Sequence, residues 1–537
     1  MLKAFLVCCG VMLSIGAIAQ KNERPKLVVG VVIEQMRPEY LTRFESKYRN
    51  GGFKRLMNKG AQFSNARIDQ LIQNQASGMA TLFTGTTPSI HGIVDNEWYD
   101  RLKEKTVNAA DDDYYITVGS DSKQGNSSAA QVMVETIGDR LKLESGGKSK
   151  VFSVALNGHS AIFSAGHAAD GAYWFDIETG NMISSSYYIS EFPNWVRDFN
   201  AKNMAADYLS RDWDLLLPKS SYEESLPDDY LLEEGFYGKW NTFPYDLKKI
   251  QKRANNLKPL KATPFGNTMI KDFSVQLLDE EQLGQDNITD FLTVTFSSMD
   301  YENNSFGPLS VEMEDIYLRL DKEIEHLFRV LDSKVGEGNY VLFLTSNMSS
   351  SYSPDYLKEE LRLPVGKFSP KSAIALLKSY LNITFGQGEW IISNSEYQIY
   401  FNHKLIEKKE VDIAKMQRLA ATFLNQFKGV KMAVPATTLH HGNGNNSILS
   451  PFAHSYNYKR SGDLFYSLEQ GWWPVFKYKR TEYTDSKHVP LILYGANIKK
   501  GKFNEPVNLR SLVPTICQCI GLTTPEHATE KPLNVNW

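Results

Sequence analysis

The chain has 537 residues, of which 42% are hydrophobic and 12% aromatic, and its formal net charge is -3. This length is sufficient for a large core, in one large domain with insertions or in two domains. The near-neutral charge excludes the strongly basic composition of many nucleic-acid-binding proteins, so no nucleic-acid partner is predicted. The aromatic content argues against wholesale disorder.

The N-terminus has the pattern of an export signal. Lys3 precedes the apolar run AFLVCCGVMLSIGAIA, whose last letters fit small-residue cleavage before Gln20. The run is shorter than the roughly 20 apolar residues of a membrane-spanning helix, and no later stretch is long and apolar enough to span. We therefore predict a signal peptide at residues 1–19 and export to the periplasm or cell envelope.

Two cysteines, Cys517 and Cys519, remain after that cleavage. They lie two residues apart in a predicted helix, where their side chains diverge, so no disulfide is expected between them. We expect both to be small buried hydrophobic residues.

Five short β-branched runs indicate the strands of one sheet. They are continuous rather than alternating, as in strands that are buried on both faces of a parallel sheet. An apolar pattern at helical spacing lies between two of them, at 310–335, with acidic residues in its first turn. Strand, helix and strand in this order predict an α/β fold. The runs are 26–34, 150–156, 290–298, 339–347 and 488–495.

Two stretches without this pattern are predicted to be insertions that cap the C-terminal edge of the sheet, where α/β folds bind ligands. They are 175–264, rich in Tyr, Trp, Pro and Asp, and 351–480, which mixes helices with Gly/Asn-rich turns. The core would then consist of 20–174, 265–350 and 481–537.

Six motifs occur in one order along the chain, and together they resemble the alkaline phosphatase superfamily. The resemblance is strongest to exported phosphate-irrepressible alkaline phosphatases that use a threonine nucleophile, and it extends from about residue 26 to the C-terminus. It implies a mainly parallel sheet sandwiched by helices, and a site in which two zinc ions hold the phosphate. The motifs are KLVVGVVIEQMRPEYLTRF, GGFKRLMNKGAQFSNA, LFTGTTPSIHGIVDNEWYD, AGHAADGAYWFD, FSSMDYENNSFGP and HVPLILYG.

The resemblance places altered residues at the first ligand and at the nucleophile. Glu34 stands where the family has an aspartate, and its extra methylene moves the carboxylate oxygens. Gln75 stands at the nucleophile position, and an amide has no ionisable hydroxyl to form a phospho-enzyme. Ser77 and Thr81 are nearby hydroxyls, which we expect to face the helix backbone or solvent. His91, in PSIHGI, is expected to have a packing or hydrogen-bonding role.

The remaining ligand positions are also changed. Of the family's Asp-x-x-x-His pair, Asp300 is retained and Asn304 replaces the histidine. Asn347 and Met348 replace the next Asp-His pair, and Lys479 falls on the last histidine. We expect the Lys479 ammonium within about 4 Å of Asp300 or Glu34.

The substrate-side positions are partly kept. The phosphate-contacting asparagine corresponds to Asn96. The Lys-x-Arg clamp corresponds to Asn157 and His159, which removes the bidentate grip of a guanidinium.

These changes favour a catalytically degenerate, exported pseudophosphatase with a binding or structural role in the cell envelope. On this interpretation the protein has no catalytic residues and no metal cofactor, its partner is an envelope protein, and its small-molecule ligand is unknown. The alternative is a phosphate- or sulfate-ester hydrolase with a rebuilt site that uses Glu34, Asp300 and one metal.

Overall fold

The structure is a computed structural model that describes residues 24–297, 306–395, 397–441, 448–475 and 487–535. Its strands are β1 (Leu27–Glu34), β2 (Ala61–Phe63), β3 (Ala66–Arg67), β4 (Glu97–Asp100), β5 (Lys105–Asn108), β6 (Thr117–Val118), β7 (Val151–Ala155), β8 (Gly171–Phe175), β9 (Met182–Ser185), β10 (Asp212–Trp213), β11 (Tyr245–Asp246), β12 (Asp290–Ser297), β13 (Tyr340–Thr345), β14 (Gly366–Phe368), β15 (Ile391–Asn394), β16 (Gln398–Phe401), β17 (Val430–Pro435), β18 (Leu464–Leu468), β19 (Trp472–Pro474), β20 (His488–Val489), β21 (Leu491–Gly495), β22 (Gly501–Phe503) and β23 (Val507–Asn508).

The helices lie between these strands. They are α1 (Tyr40–Arg43), α2 (Phe53–Lys59), α3 (Gln75–Thr84), α4 (Pro88–His91), α5 (Ile137–Glu144), α6 (Gly158–Ala165), α7 (Asn194–Ala201), α8 (Met204–Leu209), α9 (Leu247–Ala254), α10 (Pro264–Glu280), α11 (Val311–Lys334), α12 (Pro354–Glu359), α13 (Pro370–Phe385), α14 (His403–Lys408), α15 (Ile413–Leu424), α16 (Ala436–His441), α17 (Ser450–Ser455) and α18 (Leu512–Ile520), with short 3-10 helices at Glu45–Lys47, Lys219–Ser221, Lys258–Ala262 and Leu509–Ser511.

A ten-stranded mixed sheet forms the centre of the fold, in the order β22-β2-β21-β13-β1-β12-β7-β8-β9-β6. Strand β1 pairs in parallel with β12 and β13, β12 with β7, and β7 with β8. The predicted run at 488–495 forms β20 and β21, and β21 pairs antiparallel to β13. The carboxyl ends of β1, β7, β12 and β13 therefore lie along one edge of the sheet.

Apolar clusters cover both faces of the sheet, which explains why its central strands are apolar throughout. Leu27, Val29 and Val31 of β1 belong to one cluster, whereas Val28 and Val32 belong to the other. Successive side chains of a strand point to opposite faces, so helices on both sides require an unbroken apolar run.

The segment that follows β9 packs on the N-terminal part of α11. The indole Nε1 of Trp213 donates a hydrogen bond to Asp315 Oδ2 over 2.7 Å, and the Tyr245 hydroxyl donates one to Glu312. Because α11 packs against the core sheet, these buried contacts hold the segment on the core.

A second, four-stranded sheet follows later in the chain, in the order β15-β16-β18-β17. Together with α13 and α15 it encloses an apolar cluster of its own, which includes Leu377, Leu381 and Met416. The division of the chain into core and insertions stays a prediction. Within the described residues, no helix is both long and apolar enough to cross a membrane, and the predicted signal peptide lies outside them.

Candidate active site

The carboxyl ends of β1, β7 and β12 bring three polar residues together. Glu34 ends β1 and is in register with Ser297, which ends β12. Asn157 follows β7 as the N-cap residue of α6. All three are buried, so their polar atoms must find partners within the protein or in a ligand.

The Glu34 carboxylate is the centre of this arrangement. It is 1% exposed and accepts hydrogen bonds from the hydroxyls of Ser160 and Ser297. The amide nitrogens of Asn157 and Gln75 donate to it over 3.1 Å and 3.5 Å. Four donors replace the water that this carboxylate loses on burial.

Gln75 is the first residue of α3, and its position is fixed by the neighbouring asparagines. Asn74 caps the helix by accepting a hydrogen bond from the Ser77 amide over 3.1 Å, and it donates to Asp95 over 2.7 Å. Asn96 accepts from the Ala76 amide over 2.9 Å. The retained Asn96 therefore stabilises the helix start beside Gln75.

The nearby hydroxyls do not replace the missing nucleophile. The Ser77 hydroxyl donates to the Ile72 carbonyl over 3.2 Å, as expected of a backbone contact. Thr81 instead donates to the Gln70 side chain over 2.8 Å, so the expectation that it faces the helix backbone or solvent is wrong. Both residues belong to α3 and are buried.

His91 belongs to this hydrogen-bonded scaffold. Its Nδ1 accepts from the Ile93 amide over 3.1 Å, so the proton lies on Nε2, which donates to Thr81 Oγ1 over 2.9 Å. Burial lowers the pKa of His91 to about 3, so the ring is neutral at physiological pH.

The two clamp positions differ in their surroundings. The Asn157 amide oxygen accepts a hydrogen bond from the ammonium of Lys261. His159 Nε2 lies 2.8 Å from Asn108 Oδ1. Desolvation, and then the positive charge of Lys261, lower the pKa of His159 to about 4, so His159 is neutral at pH 7.

Asn347 and Met348 follow β13 and are 0% and 1% exposed. Among the described residues, neither polar side-chain atom of Asn347 has a hydrogen-bond partner. The Asn347 carbonyl also lies against α3, because a Cβ at Gly78 would come within 2.5 Å of its oxygen. Within that part of the chain, no protein group competes with a polar ligand for the Asn347 amide.

Three predicted site residues, Asp300, Asn304 and Lys479, lie outside the described residues, as does the expected ion pair of Lys479. Sequence reasoning missed Ser160, Ser297 and Lys261. Ser160 stands one helical turn after Asn157, which is a weak signal, and nothing in the sequence pattern points to the other two.

The described residues do not by themselves fit a zinc ion. Zinc is bound by cysteine, histidine and carboxylate groups. Glu34 supplies one carboxylate, whereas an amide and a thioether stand at Asn347 and Met348. No group of three His, Cys, Asp or Glu side chains in the described part of the chain could hold a metal ion.

Comparison with known proteins identifies the family. The family described as type I phosphodiesterase / nucleotide pyrophosphatase matches residues 28–490. The chain is 37% identical to alkaline phosphatase PafA of Elizabethkingia meningoseptica over 527 residues, covering 96% of this chain and 95% of the relative. It is 36% identical to alkaline phosphatase PhoV of Synechococcus elongatus over 517 residues, covering 95% and 93%.

A solved structure agrees with these relatives. The crystal structure of wild type alkaline phosphatase PafA superposes with a TM-score of 0.89 at 36% identity, covering 95% of this chain and 98% of that chain. The predicted α/β fold and the resemblance to the alkaline phosphatase superfamily are therefore confirmed.

The prediction that the protein has no metal cofactor is wrong in the light of these relatives. Both are alkaline phosphatases, and the resemblance described above links this chemistry to two zinc ions. Changes at a few positions around Glu34 do not outweigh a similarity that covers almost the whole chain. The chain belongs to the type I phosphodiesterase / nucleotide pyrophosphatase family of the alkaline phosphatase superfamily.

Proposed function

We propose that the protein hydrolyses phosphoric esters at the sheet edge formed by β1, β7 and β12, in a site rebuilt around Glu34. The observation that carries this proposal is the 37% identity to an alkaline phosphatase over almost the whole of both chains. The buried, hydrogen-bonded Glu34 and the retained Asn96 at the start of α3 support the same location.

The residue at position 75 defines how such a reaction would proceed. Gln75 cannot form a covalent intermediate, so a water molecule attacks phosphorus directly and the bond to the ester oxygen breaks. A glutamine amide orients the attacking water in some phosphoryl-transfer enzymes. The Glu34 carboxylate lies 3.5 Å from the Gln75 amide nitrogen and takes the proton of that water, while the leaving oxygen is protonated by solvent.

Turnover of p-nitrophenyl phosphate, bis-p-nitrophenyl phosphate and p-nitrophenyl sulfate by the purified protein tests this proposal. We expect turnover of at least one phosphate ester, a loss of about 100-fold or more in kcat on Glu34→Gln or Gln75→Ala, and no phospho-enzyme after acid quenching. The exposed Glu505→Gln is the matched control and should behave as wild type. A wild-type protein without turnover of any of these esters would contradict the proposal.

A second candidate is the catalytically degenerate protein with a binding or structural role in the cell envelope. It is favoured by one observation, namely that an amide occupies the nucleophile position at the start of α3. Binding of p-nitrophenyl phosphate without turnover, measured by calorimetry on the same preparation, would support this candidate instead.

We also propose that the protein is exported, on the basis of the signal pattern at residues 1–19. N-terminal sequencing of the mature protein should start near Gln20. An intact N-terminus on protein recovered from the cytoplasm would contradict export.

A further inference from the structure

A lysine from the segment before α10 contacts the first of the two clamp positions. Lys261 Nζ donates a hydrogen bond to Asn157 Oδ1, and Asn157 Nδ2 in turn donates to Glu34 Oε2 over 3.1 Å. The ammonium is therefore one side chain away from the carboxylate at the centre of the site. Since 104 positions separate Lys261 from Asn157, only the tertiary fold brings them together.

The backbone that carries Lys261 is held by packing. Its neighbours Leu260 and Ala262 are 0% and 3% exposed, whereas the lysine side chain is half-buried. The 3-10 helix Lys258–Ala262 leads directly into α10, where Asn267 accepts a hydrogen bond from the Ser297 amide over 3.1 Å. The backbone at Lys261 is therefore held in place, and it directs the side chain toward Asn157.

The two clamp positions carry no positive charge of their own at neutral pH. Asn157 is an amide, and His159 is neutral because desolvation and the nearby Lys261 lower its pKa to about 4. Binding of an anionic phosphoryl group in a partly buried site requires a compensating cation. Lys261 supplies positive charge at this place.

We propose that Lys261 binds the anionic oxygens of the phosphoric ester, in place of the cationic pair that the family has at positions 157 and 159. This inference rests on the proposed function, because it assumes that a phosphoryl group enters the site. A lysine ammonium is a point charge with rotatable donors, whereas a guanidinium is a rigid fork. The site would therefore hold the phosphoryl group through charge rather than through a bidentate geometry.

Phosphate binding by the full-length chain tests the assignment. Inorganic phosphate is titrated by calorimetry into wild type, Lys261→Met, Lys261→Arg and the control Lys252→Met, an exposed lysine of α9 in the same segment. We expect Lys261→Met to weaken binding about 10- to 100-fold, as for the loss of one charge-assisted hydrogen bond. Lys261→Arg should bind within a few-fold of wild type, and Lys252→Met as wild type.

An NMR titration of His159 provides a second readout, independent of binding. Because the charge of Lys261 depresses the pKa of His159, Lys261→Met should raise that pKa, whereas Lys261→Arg should not. If Lys261→Met does not fold, as judged by its circular dichroism spectrum, Lys261→Gln takes its place.

The possible results separate this inference from the proposed function. If wild type binds phosphate but does not hydrolyse the esters, the proposed hydrolase function is refuted. The difference in phosphate affinity between wild type and Lys261→Met still tests the role of Lys261. Equal phosphate affinity in wild type and in the neutral variant overturns the inference even if turnover is found. Absence of phosphate binding in wild type overturns it as well.

Discussion

At the scale of single residues, the Glu34 carboxylate depends on the donors around it. In Glu34→Gln the new amide group would face hydroxyl and amide donors, so at least one buried donor or acceptor loses its partner. We expect the free energy of unfolding to fall by about 1–3 kcal/mol, the range for an unsatisfied buried group.

Urea unfolding of Glu34→Gln and Glu505→Gln measures this difference. Ser160→Ala, which removes one donor but leaves the carboxylate, should have a smaller effect, about 1 kcal/mol. Equal stability of Glu34→Gln and wild type would contradict the hydrogen-bond network described here.

Asn347 presents the opposite situation, because its buried amide has no hydrogen-bond partner in the described part of the chain. Leucine of similar size would remove two polar atoms that have no partner among the residues that the structure describes. Asn347→Leu should therefore leave the stability unchanged or raise it by about 1–3 kcal/mol. The same substitution should abolish ester turnover if the amide contacts the ligand.

Thermal unfolding and turnover are measured together for this variant. Asn96→Leu is the contrasting variant, since Asn96 accepts a hydrogen bond at the start of α3 and its loss should destabilise the protein by about 1 kcal/mol. A marked loss of stability in Asn347→Leu would show that the amide is satisfied in solution.

The residues that sequence analysis placed near the site and those it missed differ in a simple way. The resemblance to the alkaline phosphatase superfamily placed Glu34, Gln75 and Asn157 at the site, because each lies in or beside a sequence motif of that family. Ser297 and Lys261 act through contacts across 263 and 104 positions of the chain. No local pattern encodes such a contact, because it depends on strand register and on the packing of a distant segment.

At the scale of elements, helix α3 approaches the end of β13 so closely that only glycine fits between them. A Cβ at Gly78 would lie 2.5 Å from the Asn347 carbonyl oxygen, which is backbone and cannot turn away. We expect Gly78→Ala to destabilise the protein by about 1–3 kcal/mol and to lower turnover, because α3 carries Gln75.

Gly158→Ala on the neighbouring helix α6 is the matched control, since the nearest atom to its added Cβ is 3.4 Å away. Chemical unfolding of both variants tests the prediction. Similar stabilities of the two alanine variants would mean that α3 can shift without loss.

The strands and helices were predictable to different degrees. Unbroken apolar runs predicted β1, β7, β12 and β13, because burial on both faces leaves a strong local signal. The four-stranded sheet β15-β16-β18-β17 was not predicted. Its strands lie in a region where Gly/Asn-rich turns and helical patterns dominate the sequence, and a sheet packed on one side gives a weaker signal.

At the scale of the whole molecule, stability should depend on pH through a carboxyl group buried beneath the segment that follows β9. Glu312 is 0% exposed and accepts a hydrogen bond from Tyr245. Desolvation raises the pKa of Glu312 to about 8 from its ordinary value of 4.5. The folded state therefore holds the proton more tightly than the unfolded state, and its stability falls as the pH rises between about 4.5 and 8.

Glu312→Gln removes this dependence while it keeps an acceptor for Tyr245. Relative to wild type, we expect the variant to be more stable at pH 9 by about 1 kcal/mol or more, with little difference near pH 4. Thermal unfolding at the two pH values measures this difference in stability, with Glu505→Gln as the control. An equal pH dependence in wild type and Glu312→Gln would contradict the raised pKa.

The register between β1 and β12 has an evolutionary consequence. Glu34 and Ser297 are paired because two parallel strands end together, and this pairing is set by the apolar residues that precede them rather than by the polar residues themselves. Substitutions at the strand tips can therefore change the polar groups at this edge of the sheet while the framework is retained. The fold and the chemistry of this site can then evolve separately, because different residues determine them.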